Sequence, residues 1–392
     1  IYLLWVFASI GISNLSIGTF LTSWLLLFDY VAVCVLAISV IVTQKQLMRF
    51  IDTMLLTALF VAGFGIYSYL THQNGIIEPG TTLFRTFSVY GSAPTYASFL
   101  STVIPLAFYR LLTLRGFKQL LSLGIILTLL VALVFTFTRS AFIAIPISIV
   151  MMAFFLPSRK MKFALLGCIA ALGIIALLFS SFGNVPIFDR FFNSDITTLN
   201  GRTYLWQAVL ERFDPTQLLG NGFRASDTLL TNLQVGYGGV IGTDTQNLYI
   251  AALYDQGIIG LGLLIVMFLT LLISIIKGLR TTTGNRRMLF ATALAVFLSM
   301  FLQSFASTDI WISSVGIYFW LIMTLPCVYL WLPQLPQLPS SQQPPVIEND
   351  IADEMTRPEL VAVLPTYNWY EKEYDPKYDQ QLKQQHEQQF KW

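Results

Sequence analysis

Long apolar runs, mostly about 20 residues each, alternate with short polar stretches along most of the chain. A helix of about 20 residues crosses ~30 Å of hydrocarbon. The runs are too long and too uniformly apolar to be the alternating strands of a membrane β-barrel. The pattern therefore predicts an all-α, polytopic transmembrane helical bundle of about ten helices. The predicted segments are residues 1–12, 20–42, 49–70, 94–114, 119–137, 140–156, 161–180, 247–276, 288–307 and 311–332.

The composition agrees with this prediction. Hydrophobic residues make up 55% of the 392 positions and charged residues only 11%, whereas a soluble domain has about 25% charged residues. An ordinary soluble enzyme and a disordered protein are therefore excluded. The chain begins with Ile1, already inside an apolar run, which predicts a truncated N-terminus. The three cysteines are far apart in apolar runs, which argues against a disulfide framework and a metal cluster.

Charged residues in the loops predict the orientation. Alternate loops hold twelve basic residues and a single acid, Asp52, so the positive-inside rule places these loops in the cytoplasm. The intervening loops then face outward. We predict N-terminal transmembrane helices over 1–180, a large periplasmic loop with an amphipathic helix over 181–246, C-terminal transmembrane helices over 247–332 and a tail over 333–392.

The tail differs from the rest of the chain. It contains eight of the sixteen prolines and ten glutamines, and its ten acids outnumber its five basic residues. Such a composition cannot bury a core and predicts a disordered cytoplasmic extension. The tail could dock a cytoplasmic partner, although a solvated extension is the simpler interpretation.

The outward loops contain six arginines and no lysine. Arginine grips phosphate or carboxylate with a planar fork, which suggests anion recognition. Ordinary salt bridges to six outward acids explain the count equally well. The arginines are Arg85, Arg139, Arg190, Arg202, Arg212 and Arg224, and the acids are Asp189, Asp195, Glu211, Asp214, Asp227 and Asp244.

Two predicted helices meet at Thr138 and Arg139. Thr138 or Ser140 can cap the second helix, which leaves Arg139 in its first turn. The helix dipole disfavours a cation there, unless an anion is shared between Arg139 and the backbone N–H groups. A snorkelling arginine is the alternative. We favour the anion site because a charge at membrane depth is functional by default.

The long outward loop contains a second group of candidates. Arg202 and Trp206 lie one turn apart in a predicted amphipathic helix, and Arg224 follows a glycine turn. Glycines at 236–242 could form a lid hinge or a plain linker. The predicted apolar face of the helix consists of Leu205, Val209, Leu210 and Phe213.

The chain re-enters the membrane at a third group of polar residues. Asp244, Gln246 and Asn247 stand at the predicted helix start, where capping is the ordinary explanation. Asp255 lies two turns deeper, close to Gly257, and glycines there allow close helix packing. The sequence contains no Walker loop, no GxSxG, no HExxH and no outward DxD pair. It therefore gives no sign of a metal, a nucleotide or a nucleophile triad.

Together these segments resemble the O-antigen ligase/polymerase superfamily of bacterial membrane glycosyltransferases. The family landmarks are short, but they occur in the same order, spacing and sidedness here, over about 85–332. The matching residues are Arg85 with Gly91 and Pro94, Thr138-Arg139-Ser140, Gly201-Arg202 with Trp206, Gly220-Asn221-Gly222, Gln246-Asn247-Leu248, and Asp255 with Gly257 and Gly260.

The resemblance implies an enzyme of the bacterial inner membrane that acts at the periplasmic face. Its donor would be a polyprenyl-diphosphate-linked glycan, its acceptor a glycan or a lipid, and its surroundings membrane lipids. The resemblance implies no metal or nucleotide cofactor, and we expect no nucleic acid partner. It also implies that Arg139 and Arg202 hold the diphosphate. The supporting residues would be Arg85, Arg224, Trp206 and Asn247.

Gln246 departs from the family pattern, because ligases carry histidine there. Glutamine can orient an acceptor hydroxyl but cannot take its proton. Either Asp244 serves as the base, or a dissociative transfer needs little deprotonation, or the chain is not a typical ligase. We therefore favour a polymerase-like or exopolysaccharide role. Thr95, where the family often has asparagine, is a second departure.

Two rival functions stay open. A transporter or flippase of lipid-linked sugars would have polar residues at mid-membrane depth, and this chain has mainly Asp29 there. A non-catalytic assembly partner would not need the missing histidine.

Overall fold

The computed structural model describes residues 1–12, 17–77, 83–156, 158–159, 162–163, 165–167, 201–234, 236–237, 240–241, 243–311 and 313–332. The tail at 333–392 lies wholly outside these residues, and the predicted helix at 161–180 lies largely outside them. Arg190 and part of the glycine stretch at 236–242 also lie outside them.

Nine of the ten predicted segments coincide with helices among the described residues. Two further described helices, α7 and α8, lie in the long loop that the sequence predicts to face outward. The helices are α1 Tyr2–Ile12, α2 Ile17–Val40, α3 Gln44–Leu70, α4 Ala93–Thr113, α5 Phe117–Val134, α6 Arg139–Phe155, α7 Arg202–Leu210, α8 Ala225–Leu233, α9 Leu248–Thr281, α10 Gly284–Gln303 and α11 Ser313–Trp331. A 3-10 turn covers Asp309–Trp311.

Within the described part of the chain, five helices are long and apolar enough to cross a membrane: α2, α3, α5, α9 and α10. Shorter apolar helices lie at Tyr2–Gly11, Arg139–Phe155 and Ser314–Leu330. The chain is therefore an integral membrane protein with an all-α fold, as predicted. Helix α4 differs because it is buried along most of its length and carries Ser98, Ser101 and Thr102 inside the bundle.

The bundle core forms around α4 and α10. Helix α10 packs against both α4 and α6, α4 also contacts α5, and α2 packs against α11. The starts of α4, α6 and α9 lie at one end of the bundle, which we call the site end. Thr138 at the start of α6 donates to Ala93 in α4, Ser98 in α4 donates to Gln303 at the end of α10, and the N–H of Leu248 in α9 donates to the carbonyl of Ser304, just after α10. Helices α3 and α10 begin at the opposite end, which we call the basic end because it carries Arg110, Arg280 and Arg286.

Two small hairpins interrupt the helical fold, and the sequence did not predict them. Strand β1 (Gly75–Ile77) pairs antiparallel with β2 (Phe84–Thr86). The backbone N–H of Thr86 donates to the carbonyl of Phe135, so β2 rests on the end of α5. Strands β3 (Gly236–Tyr237) and β4 (Val240–Ile241) form the second hairpin, in the long loop.

The amphipathic helix of the loop is present as α7, with one correction to its apolar face. Leu205 and Val209 are buried against Leu230 and Tyr254, and Phe213 packs against the same cluster. Leu210, predicted on this face, is 45% exposed. Leu210 is the last residue of the helix and lies roughly 140° around the helix axis from Leu205, so its side chain falls outside the buried stripe of Leu205 and Val209.

Candidate functional site

The junction of α5 and α6 gathers the first group of predicted residues. Strand β2 delivers Arg85 to this junction, where its Nε donates to the carbonyl of Thr136 at 3.0 Å. Its Nη2 donates to the hydroxyl of Thr138 at 3.3 Å. Because Arg139 directly follows Thr138 and opens α6, two of the predicted arginines converge at one helix start.

Thr138 occupies the N-cap position of α6, as predicted, but its side chain makes no capping hydrogen bond to that helix. The hydroxyl instead donates toward the carbonyls of Thr136 and Ala93, at 3.3 and 3.4 Å, and accepts from Arg85. Of the two capping residues that the sequence allowed, Thr138 and Ser140, Thr138 therefore forms no side-chain cap. The hydroxyl ties the junction to the first turn of α4.

Helix α7 holds the second group against the end of the long loop. The Nε of Arg202 donates to Oε1 of Gln246 at 2.7 Å. One turn on, the indole N–H of Trp206 donates to the carbonyl of Thr245 at 2.9 Å. Arg202 and Trp206 of α7 thus donate hydrogen bonds to two consecutive loop residues. Gln246 has a left-handed backbone, with φ of 47°, and its side chain orients a guanidinium.

Asp244 lies beside this contact and accepts from neutral donors. Its Oδ1 accepts from the backbone N–H of Gln246 at 3.1 Å, and its Oδ2 accepts from the hydroxyl of Thr308 at 3.3 Å. Burial, then the charges of Asp227 and Asp309, raise the pKa of Asp244 to about 6. A carboxylate with such a pKa is suited to take a proton near neutral pH.

Asp309 was not among the predicted site residues. It is 5% exposed, and it accepts from the hydroxyls of Thr95 at 2.9 Å and Ser98 at 2.5 Å, both on α4. Burial raises its pKa, while these hydroxyls and the charge of Arg202 oppose the rise. The only signal in the sequence was an acid in a very short outward loop between two apolar segments.

Helix α4 connects the two groups. Its first residue, Ala93, accepts from Thr138 at the junction, and its first two turns donate to Asp309 from Thr95 and Ser98. The departure at Thr95 therefore has a structural role, because the hydroxyl orients the missed carboxylate. Helix α4 therefore contacts both the junction, through Ala93, and Asp309, where the nearby charge of Arg202 opposes the rise in pKa that burial causes.

Arg224 and Asn247 are held in more ordinary ways. The Nε of Arg224 forms an ion pair with Asp227 at 2.7 Å, so the salt-bridge interpretation holds for this arginine. Oδ1 of Asn247 accepts the N–H groups of Tyr249 and Ile250, and its Nδ2 donates to the carbonyl of Phe305. Capping of α9 is therefore the observed use of its side chain.

A metal site needs several ligand side chains close together. Within the described ranges, no group of three or more histidine, cysteine, aspartate or glutamate residues could hold an ion. The polar centre of the site is instead an arginine, a glutamine and two aspartates.

The part of the chain that holds these residues matches a known protein family. The family described as O-antigen ligase matches residues 124–265, which include Arg139, Arg202, Asp244 and Gln246. This match confirms the predicted resemblance to the O-antigen ligase/polymerase superfamily. The O-antigen ligase region begins within α5 and ends within α9, so it contains both the α5–α6 junction and the loop contacts.

One relative adds detail. The exopolysaccharide production protein ExoQ of Rhizobium meliloti is 27% identical over 172 residues, which cover 41% of this chain and 38% of that protein. The chain therefore spans well under two thirds of the curated relative it matches.

Proposed function

We propose that the protein is a glycosyltransferase that transfers or polymerises a polyprenyl-diphosphate-linked oligosaccharide at the periplasmic face of the bacterial inner membrane. Its role would be surface polysaccharide biosynthesis. The observation that carries the proposal is the contact of Arg202 with Gln246 directly beside Asp244. This contact places a cation that suits a diphosphate next to a carboxylate that suits a hydroxyl proton.

The reaction would be a displacement at the anomeric carbon of the donor. The acceptor hydroxyl oxygen bonds to that carbon, and the Asp244 carboxylate takes the hydroxyl proton. The bond from the anomeric carbon to the diphosphate oxygen breaks, and the polyprenyl diphosphate leaves with both electrons of that bond. Charge develops on the leaving oxygen, so fixed arginines stabilise the transition state more than the bound donor.

The two groups of arginines would divide the donor between them. Arg139, at the start of α6, and Arg202, oriented by Gln246, would contact the diphosphate. Arg85 would support the junction through its bonds to Thr136 and Thr138. An arginine held by its Nε edge presents its guanidinium in a fixed plane, which suits recognition of phosphate oxygens.

Gln246 stands where ligases of the family carry histidine, and its contact with Arg202 indicates its role. Its amide oxygen accepts from Arg202, so we assign it a positioning role. The proton would then pass to Asp244, two residues earlier. An exopolysaccharide role is supported by the name of the relative, the exopolysaccharide production protein ExoQ. No nucleotide or metal cofactor enters the proposed step.

The experiment is transfer by purified protein with a lipid-linked oligosaccharide donor. We expect Arg202→Ala and Arg139→Ala to reduce transfer by roughly a hundredfold or more, as for the loss of a group that stabilises transition-state charge. Arg212→Ala is the matched control, because Arg212 is exposed and donates to the carbonyl of Ala208 in its own helix. Full activity in both test variants would reject the proposal.

Deletion of the gene then separates the finer alternatives. Accumulation of single lipid-linked repeats indicates a polymerase, and accumulation of full polymer on the lipid carrier indicates a ligase. Translocation of lipid-linked sugars in liposomes without transfer would favour the flippase instead, and an unchanged glycan profile the assembly partner.

A further inference from the structure

Helix α9 is broken at Gly257, whose backbone has φ of 69° and ψ of −173°. In a continuous helix, the carbonyls of Tyr254 and Asp255 would accept from the N–H groups four residues later. Here they accept from the N–H groups of Asn221 and Gly222, at 3.1 and 2.7 Å. A segment of the outward loop therefore completes the broken hydrogen-bond ladder of a membrane helix.

The approach of this segment to α9 leaves no room for side chains. A Cβ atom on Gly257 would collide with the carbonyl of Leu218, and one on Gly220 would collide with the backbone at Gly257. Both glycines also have positive φ. The N–H of Ile259 in turn donates to the carbonyl of Leu218 at 3.4 Å, so the segment is bonded on both sides of the break.

The side chain of Asp255 continues this contact. Its Oδ2 accepts from the backbone N–H of Arg224 at 3.0 Å, and its Oδ1 accepts from that of Ser226 at 2.7 Å. These are the N-cap and second residues of α8, and the side chain of Arg224 makes no capping bond of its own. Asp255 in α9 thus caps the N-terminus of α8. An aspartate at the N-cap position of the same helix ordinarily has this role.

The capped turn fixes one exposed arginine. Phe223 is 2% exposed and packs edge-on against Trp311 at 5.9 Å, whereas the next residue, Arg224, turns outward in a left-handed conformation. Helix α8 packs through Leu230 against Leu205 and Val209 of α7, the helix that carries Arg202. The guanidinium of Arg224, which pairs with Asp227 of α8, therefore lies at the rim of the proposed reaction site.

We infer that Asp255 is a positioning residue for the proposed reaction: by capping α8 from the break in α9, it holds Arg224 at the rim, where Arg224 contacts an anionic group of the lipid-linked donor. This inference rests on the proposed function. It assigns Asp255 no contact with substrate.

The substitution Asp255→Asn tests this role without leaving a cavity. An amide offers one acceptor oxygen, and its NH₂ group opposes a backbone N–H donor. One of the two bonds to α8 is therefore lost. We expect the KM for the donor to rise by about tenfold, the equivalent of one hydrogen bond, with little change in kcat.

The deciding measurement is a double-mutant cycle with Arg224→Ala. If Asp255 acts through Arg224, Asp255→Asn should raise KM in the wild-type background and leave it unchanged in the Arg224→Ala background. An equal rise of KM in both backgrounds would overturn the inference. So would a fall in kcat, with KM unchanged, that matches the fraction of protein that fails to fold. Asp214→Asn is the matched control, because Asp214 caps only its own exposed turn.

Limited trypsin digestion of the purified protein gives a readout that does not depend on activity. Cleavage after Arg224 should become several-fold faster in Asp255→Asn, because the open form of the turn is more populated. Cleavage after the exposed Arg212 serves as the internal reference and should not change. An unchanged Arg224 to Arg212 ratio would reject the cap. If Arg202 and Arg139 variants retain transfer while this ratio changes, the proposed function fails and the cap stands.

Discussion

Two aspartates at opposite ends of the bundle show how partners decide what a carboxylate does. At the basic end, both oxygens of Asp52 accept from one guanidinium, that of Arg110, at 2.6 and 2.7 Å. At the site end, the oxygens of Asp244 accept from a backbone N–H and a hydroxyl. The basic-end pair is a bidentate ion pair of structural type, whereas Asp244 is held by neutral groups.

The difference explains the raised pKa at the site end. A cation favours the charged carboxylate, whereas burial and neighbouring acids disfavour it. Asp244 is subject to burial and to the charges of Asp227 and Asp309, which together outweigh its two neutral donors. Asp244 is therefore arranged to gain and lose a proton near neutral pH.

The largest expected effect concerns catalysis. Asp244→Asn removes the proposed proton acceptor and should lower kcat by roughly 10²–10⁴-fold, the usual contribution of a general base. In the unmodified protein, kcat/KM should fall below about pH 6, the pKa of Asp244. Transfer assays between pH 5 and 8 measure both. Asp52→Asn is the comparison, and equal losses in the two variants would remove the distinction between the ends.

The same substitution should stabilise the fold at high pH. The pKa of Asp244 is higher in the folded protein, at about 6, than its unfolded value of about 3.9. Its ionised form therefore destabilises the folded state above pH 6, and the penalty disappears as the pH falls toward 4. Asp244→Asn should gain up to about 3 kcal/mol at pH 8 and progressively less below pH 6. Thermal unfolding in detergent at both pH values checks the sign.

Breaking the basic-end pair should affect stability alone. Asp52→Ala leaves the guanidinium of Arg110, which is only 9% exposed, without its carboxylate. Because Asp52 is 52% exposed, we expect a modest loss of about 1–2 kcal/mol. Transfer per folded molecule should not change. The double variant Asp52→Leu with Arg110→Met should recover most of the stability, and a loss of transfer in it would contradict a purely structural role.

The smallest expected effect tests the missed carboxylate. Thr95→Val removes the hydroxyl that donates to Asp309 and should lower kcat/KM by several-fold, the equivalent of about 1 kcal/mol. The control is Thr102→Val in the same helix, because the Thr102 hydroxyl donates only to the helix carbonyl of Ser98. If kcat/KM falls equally in both variants, the loss results from altered packing of α4 and not from the lost bond to Asp309.

The site could be predicted in part because some of its chemistry is local. Arg139 at a helix start and Asp244 at a membrane re-entry both stand out from the apolar residues around them. Asp309 does not stand out, because its importance comes from two hydroxyls on α4, more than 200 positions earlier in the chain. The side-chain cap by Thr138 was mispredicted because a local partner was assumed where Arg85 competes for the hydroxyl.

The sequence by itself determined the membrane-spanning helices, the two chemically different ends of the bundle and the family resemblance. Hydropathy, loop charge and short motifs are properties of neighbouring residues, so they are readable before folding. Only the tertiary structure decided that Gln246 orients Arg202, that Asp309 joins the site and that Asp255 caps α8. Each of these depends on two groups that are more than 25 residues apart in the chain and lie within hydrogen-bond distance in the fold. Only the tertiary packing of the helices and the loop brings such groups together.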